Sequence, residues 1–240
     1  MSNPKSSTRP EAGVAEATAT EGFLRITEIF HSIQGESTWA GLPCTFVRLT
    51  GCPLRCVWCD TEYSFYGGER MSLDAILKRV RETGCRLVQI TGGEPLVHRN
   101  AFVLAERLAE TGHTVLVETS GALDISELDS RVHRIMDLKC PGSGEVEKNR
   151  WQNLDHLTAQ DEVKFVVKDR DDYEWAREVI RERGLLTRVR DGRLREILLS
   201  PVWGELALKD LAEWILADGL RVRLQTQLHK HAWGPDVKGV

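Results

Sequence analysis

Three cysteines within eight residues are the first chemistry this sequence offers. Cys52, Cys56 and Cys59 lie in Gly51-Cys52-Pro53-Leu54-Arg55-Cys56-Val57-Trp58-Cys59-Asp60-Thr61. At that spacing one short loop wraps three thiolates around an object the size of a side chain. Iron–sulfur clusters usually take four Cys ligands. Three from one loop, with no second pair downstream, leave one iron without a protein ligand. An open coordination position is what separates reactive metal sites from closed structural ones. The competing reading is a zinc site completed by Cys44, Cys85, Cys140 or a histidine, but zinc sites generally show two separated ligand pairs and the second pair is missing. Three unliganded core cysteines fit less well still, because Pro53, Arg55 and Asp60 do not look like core packing.

Further polar motifs stand at the ends of apolar runs. In Thr91-Gly92-Gly93-Glu94-Pro95 two glycines let backbone approach a ligand without Cβ obstruction, and Glu94 adds an acceptor. Alone, that segment is equally a strand-to-helix turn. Ser120 in Glu118-Thr119-Ser120-Gly121 and Lys139 in Asp137-Leu138-Lys139 are also strand-end polar residues. Arg48 lies in an otherwise apolar strand, four residues before Cys52. Its fork suits a substrate carboxylate, through a charge-assisted bond worth about 1.5–3 kcal/mol. Gln34 and Glu36 offer a donor–acceptor pair to a heterocycle edge, with Gly35 between them clearing room for a ring.

These residues need a scaffold, and the pattern supplies one. Short β-branched runs at 24–30, 45–50, 87–91, 114–119, 134–139, 162–167, 196–200 and 221–227 read as strands. Amphipathic patterns at 72–83, 100–111, 171–183 and 205–218 read as helices, the first with Ser72 as N-cap and Gly84 after its end. Strands alternating with helices predict βαβ units around a parallel sheet, an α/β fold whose chemistry gathers at the carboxyl ends of its strands. No repeat or linker interrupts the stretch from Phe23 to Leu228, so one domain is expected over 23–240, after a disordered lead-in of residues 1–22 rich in Ser, Thr, Ala, Glu and Pro.

The bulk numbers narrow the class. In 240 residues, 41% are hydrophobic and 28% charged, an ordinary balance for a globular protein. No run approaches the roughly 20 apolar residues of a membrane span, and no apolar secretory segment opens the chain; a cytoplasmic protein without membrane association is expected. The net charge is −4 with no basic stripe, so no nucleic-acid partner is expected. Arg188, Arg190, Arg193 and Arg195 come nearest to such a stripe, but Asp191 interrupts them.

The Cys-x-x-x-Cys-x-x-Cys loop resembles the signature of the radical S-adenosylmethionine (SAM) enzymes. With Gln34-Gly35-Glu36, Arg48, Cys59-Asp60-Thr61, the Gly-Gly-Glu-Pro segment and Gln227-Leu228-His229-Lys230, nearly the whole chain after residue 22 is similar to the 7-carboxy-7-deazaguanine synthases of queuosine (7-deazapurine) biosynthesis. That resemblance implies a partial, abbreviated parallel β/α barrel of the radical SAM type. It implies a [4Fe-4S] cluster on Cys52, Cys56 and Cys59, and SAM on the open iron. SAM would be flanked by Trp58, Cys59 and Asp60 and met by Gly93, Glu94, Ser120 and Lys139. The implied reaction is that of a carbon–nitrogen lyase on 6-carboxy-5,6,7,8-tetrahydropterin. A 5′-deoxyadenosyl radical removes a hydrogen at C6, the ring contracts, ammonia leaves and SAM is regenerated. Gln34, Gly35, Glu36, Arg48 and Thr91 would line the pterin, and Thr61 would ligate a Mg2+ beside the substrate carboxylate, a role that suits a hard cation. A homodimer and an external electron donor such as flavodoxin or ferredoxin are implied as well. Glycyl-radical-enzyme activases share the Cys loop and Asp-x-Lys, but act on proteins and have no need of Gln34-Gly35-Glu36 with Arg48.

Two departures qualify the resemblance. The family's common Gln-Gly-Glu-Gly is Gln34-Gly35-Glu36-Ser37 here. Some members bring their terminal carboxylate near the active site; residues 233–240 are not expected to reach it, so no role falls to Val240. His229 and His231 are assigned to a surface tail.

Overall fold

The structure, a computed structural model, describes residues 22–240. The expected lead-in over 1–22 therefore lies outside the described residues, apart from Gly22. One nine-stranded sheet runs through the molecule, with strand order β3-β1-β2-β4-β5-β6-β7-β8-β9. Its members are β1 (Phe23–Ile33), β2 (Pro43–Leu49), β3 (Glu69–Ser72), β4 (Leu87–Gly92), β5 (Thr114–Thr119), β6 (His133–Leu138), β7 (Glu162–Val167), β8 (Glu196–Pro201) and β9 (Arg223–Leu224). From β2 to β9 every pairing is parallel. The sheet is not purely parallel, however: β1 pairs antiparallel with both β2 and β3. The reason is local. The turn from β1 to β2 closes with Gln34 N–H on the Leu42 carbonyl and Gly41 N–H on the Gln34 carbonyl, a connection too short for a parallel crossover.

Helices α1 (Leu73–Glu82), α2 (Arg99–Glu110), α3 (Arg170–Glu182), α4 (Leu185–Arg190), α5 (Leu208–Ala217) and α6 (Leu228–Trp233) complete the chain. The Ser72 hydroxyl caps α1 by accepting from Ala75 N at 3.2 Å, and Asp169 caps α3 by accepting from Asp172 N at 3.0 Å. Between β5 and β6 there is no helix, and between β6 and β7 only short 3₁₀ turns. The barrel is thus abbreviated and open, not a full alternation. The expected strand at 221–227 shrinks to Arg223–Leu224 because this edge strand has β8 alone as a neighbour. Beyond it, Gln225 and Gln227 turn away toward the loop after β1. The helix expected from 205 begins at Leu208, since Leu206 N–H still bonds back to the Val202 carbonyl in a turn.

Strand periodicity sends alternate residues to opposite faces. Val47, Leu49, Ile90, Val117, Leu138, Val163 and Phe165 enter the main core. Ile76, Leu104, Tyr173, Ile180 and Leu211 enter it from the helices. The opposite face is divided along the strands. Its amino-terminal half is a smaller apolar cluster of Cys44, Phe46, Leu87, Leu116 and Ile135, with Phe30 and Trp39 packed on it. Two residues further along the same strands the side chains become Arg48, Gln89, Glu118 and Asp137, and these line a cavity.

Candidate active site

The cavity encloses about 650 Å³ at the carboxyl ends of the parallel strands, where α/β folds place their ligands. Every residue assigned above to the cluster, SAM, Mg2+ or the pterin lines it except Glu94. Cys52, Cys56, Trp58, Cys59, Asp60 and Thr61 come from the loop after β2, Gly93 from the loop after β4, and Ser120 and Lys139 from the ends of β5 and β6. Gln34, Gly35 and Glu36 follow β1, while Arg48 and Thr91 are strand residues. Thr91 is the register partner of Arg48.

The three thiols are half-buried, and burial pushes each of them up, with neighbouring thiols contributing in the same direction. The cysteines offered as completing a zinc site are elsewhere. Cys44 belongs to the apolar cluster under the cavity, Cys140 to the main core, and the Cys85 thiol donates to the carbonyls of Pro43 and Leu87. None of the three lines the cavity.

Glu94 is fully buried in the wall, which corrects its expected place beside a ligand. Its carboxylate accepts from Leu96 N at 3.0 Å, Ser120 N at 2.7 Å, Thr119 Oγ1 at 3.0 Å and Ser120 Oγ. Four donors fill the four acceptor sites of a carboxylate. The residue therefore ties the Gly92-Gly93 loop to the end of β5. Gly93 is glycine for a related reason: a Cβ there would stand 2.5 Å from Cys52 Cβ and 2.6 Å from the Gly51 carbonyl oxygen. The glycine pair lets this loop pack flush against the cysteine loop.

Arg48 is held from behind. Glu28, its register partner on β1, accepts from Arg48 Nε at 2.7 Å, and Tyr63 Oη donates to the same carboxylate oxygen at 2.8 Å. Burial, offset by Arg48 and reinforced by the bond to Glu28, pushes the Tyr63 hydroxyl up to about 12, so it remains a donor. The guanidinium lies between the Phe30 and Tyr63 rings, each centroid 5.8 Å away. Its terminal nitrogens make no hydrogen bond to a described residue and are left for a ligand.

On the other wall, hydrogen bonds close a ring. Glu36 N donates to Gln34 Oε1 at 3.1 Å, Gln34 Nε2 to Gln89 Oε1, and Gln89 Nε2 to Glu118 Oε2 at 2.7 Å. Lys164 Nζ then bridges Glu118, at 2.5 Å, and Glu36, at 2.8 Å. Burial would push the Glu36 carboxyl up, but Lys164 and the bond from Gln227 outweigh it and hold it below the usual range. Burial wins at Glu118, helped by Glu36 and Asp137, so its carboxyl lies above the usual range. Lys164 is charged despite burial, because Glu118, Glu36 and Asp137 surround it. Asp137 also accepts from Lys139 Nζ at 2.8 Å, and burial notwithstanding its charge keeps the Lys139 ammonium well protonated.

The carboxyl-terminal residues are where sequence reading failed. His229 lines the cavity, and its Nδ1 lies 2.1 Å from where a Cβ on Gly35 would stand. The space beside Gly35 therefore holds this chain's own imidazole, which burial keeps toward its neutral form. Only His231 is peripheral, set edge-on against Trp203 with centroids 4.7 Å apart. Lys230 Nζ reaches Asp60 at 2.7 Å and, against partial burial, holds that carboxyl well below the usual range. Pro235 to Val240 also line the cavity, with Lys238 Nζ 4.3 Å from the Tyr63 centroid. The tail thus does reach the site. Gln89, Glu118 and Lys164 carried the same signal as Arg48, a polar residue inside an apolar strand; the tail carried none.

Residues 46–185 match the Radical SAM superfamily. A 7-carboxy-7-deazaguanine synthase of Koribacter versatilis is 46% identical over 231 residues, covering 90% of this chain and all of the relative. One from Chlorobaculum tepidum is 44% identical, covering 92% of this chain and all of the relative. The chain belongs to the 7-carboxy-7-deazaguanine synthase family. The crystal structure of QueE from Escherichia coli superposes with a TM-score of 0.69 at 27% identity, covering 86% of this chain and 95% of that one. Radical SAM membership brings a [4Fe-4S] cluster and SAM, and the residue types suit both: three thiols of one loop line the cavity with no fourth cysteine there, beside a glycine loop packed against Cys52, although among the described residues the thiols do not yet converge into a metal-holding group.

Proposed function

We propose that this chain is a carbon–nitrogen lyase that contracts 6-carboxy-5,6,7,8-tetrahydropterin to 7-carboxy-7-deazaguanine with release of ammonia, from a single domain spanning 23–240. The observation that carries this reading is one cavity with three thiols at one wall and, at another, an arginine whose terminal nitrogens are free for a carboxylate. When bound at Cys52, Cys56 and Cys59, the cluster with SAM supplies one-electron cleavage and a carbon radical able to abstract hydrogen. The chain's own residues bind and orient. Arg48, pinned at Nε by Glu28, takes the substrate carboxylate through its outer nitrogens. Gln34 and Glu36, fixed by the ring through Gln89, Glu118 and Lys164, receive the polar edge of the pterin with Thr91 beside them. His229, pushed toward its neutral form by burial, packs on Gly35 and closes that end. Trp58, Cys59, Asp60, Gly93, Ser120 and Lys139 surround SAM.

Mg2+ fits Thr61, whose hydroxyl stands at the cavity rim beside the Asp60 carboxylate, to which it donates at 2.8 Å; oxygen donors of this kind suit a hard cation. The remaining elements of the reading are a cytoplasmic homodimer reduced by a flavodoxin or ferredoxin. Among the described residues no helix is long and apolar enough to cross a membrane.

The test is anaerobic reconstitution followed by incubation with SAM, a reductant and carboxytetrahydropterin, with mass analysis for the deazapurine. Brown protein yielding that product is expected. Colourless protein with one zinc, or SAM cleavage without the deazapurine, refutes it.

A further inference from the structure

The loop that carries Gln34 and Glu36 turns at Ser37. This is the single non-glycine residue among the described residues with positive φ, at +67°, a conformation that crowds an L side chain's Cβ against the backbone. Something must hold the serine there, and the contact is specific. Ser37 N donates to Gln225 Oε1 at 2.8 Å, from two positions 188 residues apart in sequence. Both side chains are buried. Gln225 is itself anchored, its backbone N–H donating to the Leu199 carbonyl at 2.9 Å on β8. The orientation of its amide follows from the contact, since only Oε1 can receive an N–H. Nε2 is then left buried without a partner, a penalty the fold accepts to keep the other end bonded.

We propose that Gln225 is a positioning residue for substrate binding: by holding Ser37 left-handed it fixes Glu36, one residue earlier, in the ring with Lys164 and Gln227. This rests on the reading of Glu36 as a substrate contact. In this chain Ser37 and Gln225 act as a pair, because a glycine at 37 would adopt the same turn without help.

The test uses reconstituted holoenzyme with SAM and carboxytetrahydropterin, comparing the parent with Gln225→Met, Gln225→Glu, and Gln225→Met combined with Ser37→Gly. Gln225→Met should raise KM about fivefold, the loss of roughly one ordinary hydrogen bond, with a smaller change in kcat. It should also speed hydrogen exchange of the peptide spanning 34–42 in substrate-free enzyme. Uncoupled SAM cleavage, which does not use Glu36, serves as the control. Adding Ser37→Gly should restore most of the affinity, as should Gln225→Glu, which keeps an acceptor; a merely structural defect would be rescued by neither. Unchanged exchange in Gln225→Met, or no rescue by Ser37→Gly, overturns the clamp. Faster exchange with unchanged KM removes Glu36 from the substrate site, and the positioning role with it.

Discussion

Removing the Glu94 carboxylate is the sharpest way to separate wall from ligand. In Glu94→Ala, the backbone N–H groups of Leu96 and Ser120 and the hydroxyls of Thr119 and Ser120 lose their acceptor inside the protein. Hydroxyls rotate to other acceptors, but a backbone N–H does not, and each buried orphan costs about 1–3 kcal/mol. Two such orphans, eased by one water entering the vacated volume, give about 2–5 kcal/mol. That is a large part of the 5–15 kcal/mol typical of a folded domain. Urea unfolding of the cluster-free chain should show it as a midpoint lowered by about 1–2 M, taking a slope of about 2.5 kcal/mol per M, toward the upper end because the slope grows with chain size. Glu94→Gln should fall between, because its NH2 meets N–H donors on one side while its oxygen still serves the other. SAM affinity should fall in step with stability, since the Gly92-Gly93 loop and Ser120 are what Glu94 joins. An unchanged midpoint together with lost SAM affinity would make Glu94 a ligand and refute the reasoning.

Three further outcomes are expected. Arg48→Ala should leave the cluster and uncoupled SAM cleavage intact while weakening carboxypterin binding about 10- to 150-fold, the equivalent of about 1.5–3 kcal/mol; unaltered affinity for carboxypterin in a binding titration would take Arg48 out of the substrate site. Thr61→Ala should blunt stimulation of turnover by Mg2+, and a parental Mg2+ response would exclude Thr61 as ligand. Away from the site, hydrogen bonds from the Arg131 side chain and backbone hold the Asp129 carboxyl down to about 2. Because its folded value is depressed, the stability it contributes is present above the unfolded value and fades as pH falls through the folded one. Carbon-detected NMR titration of Arg131→Ala should move the Asp129 midpoint up toward about 4, and a midpoint that stays put would show that the backbone bond alone sets it.

The chemistry of this protein was legible in its sequence where the signal is local. Cys52, Cys56 and Cys59 declare themselves by spacing, because all three stand on one short loop. Arg48 stands out because a charge in an apolar strand needs a purpose. Strands β1, β2 and β4 to β8 and helices α1 to α3 follow from periodicity, since each buries one face against a neighbour. What the sequence could not show is which distant residues share a wall. Glu94 looked like a ligand until four donors from β5 and its own loop were found on it. Gly35 looked like room for substrate until His229, nearly two hundred residues away, was found filling that room. The tail joined the site because β9 breaks off after two residues and lets the chain return across the strand ends. Periodicity records the face a residue buries, and only the folded chain decides what lies opposite it.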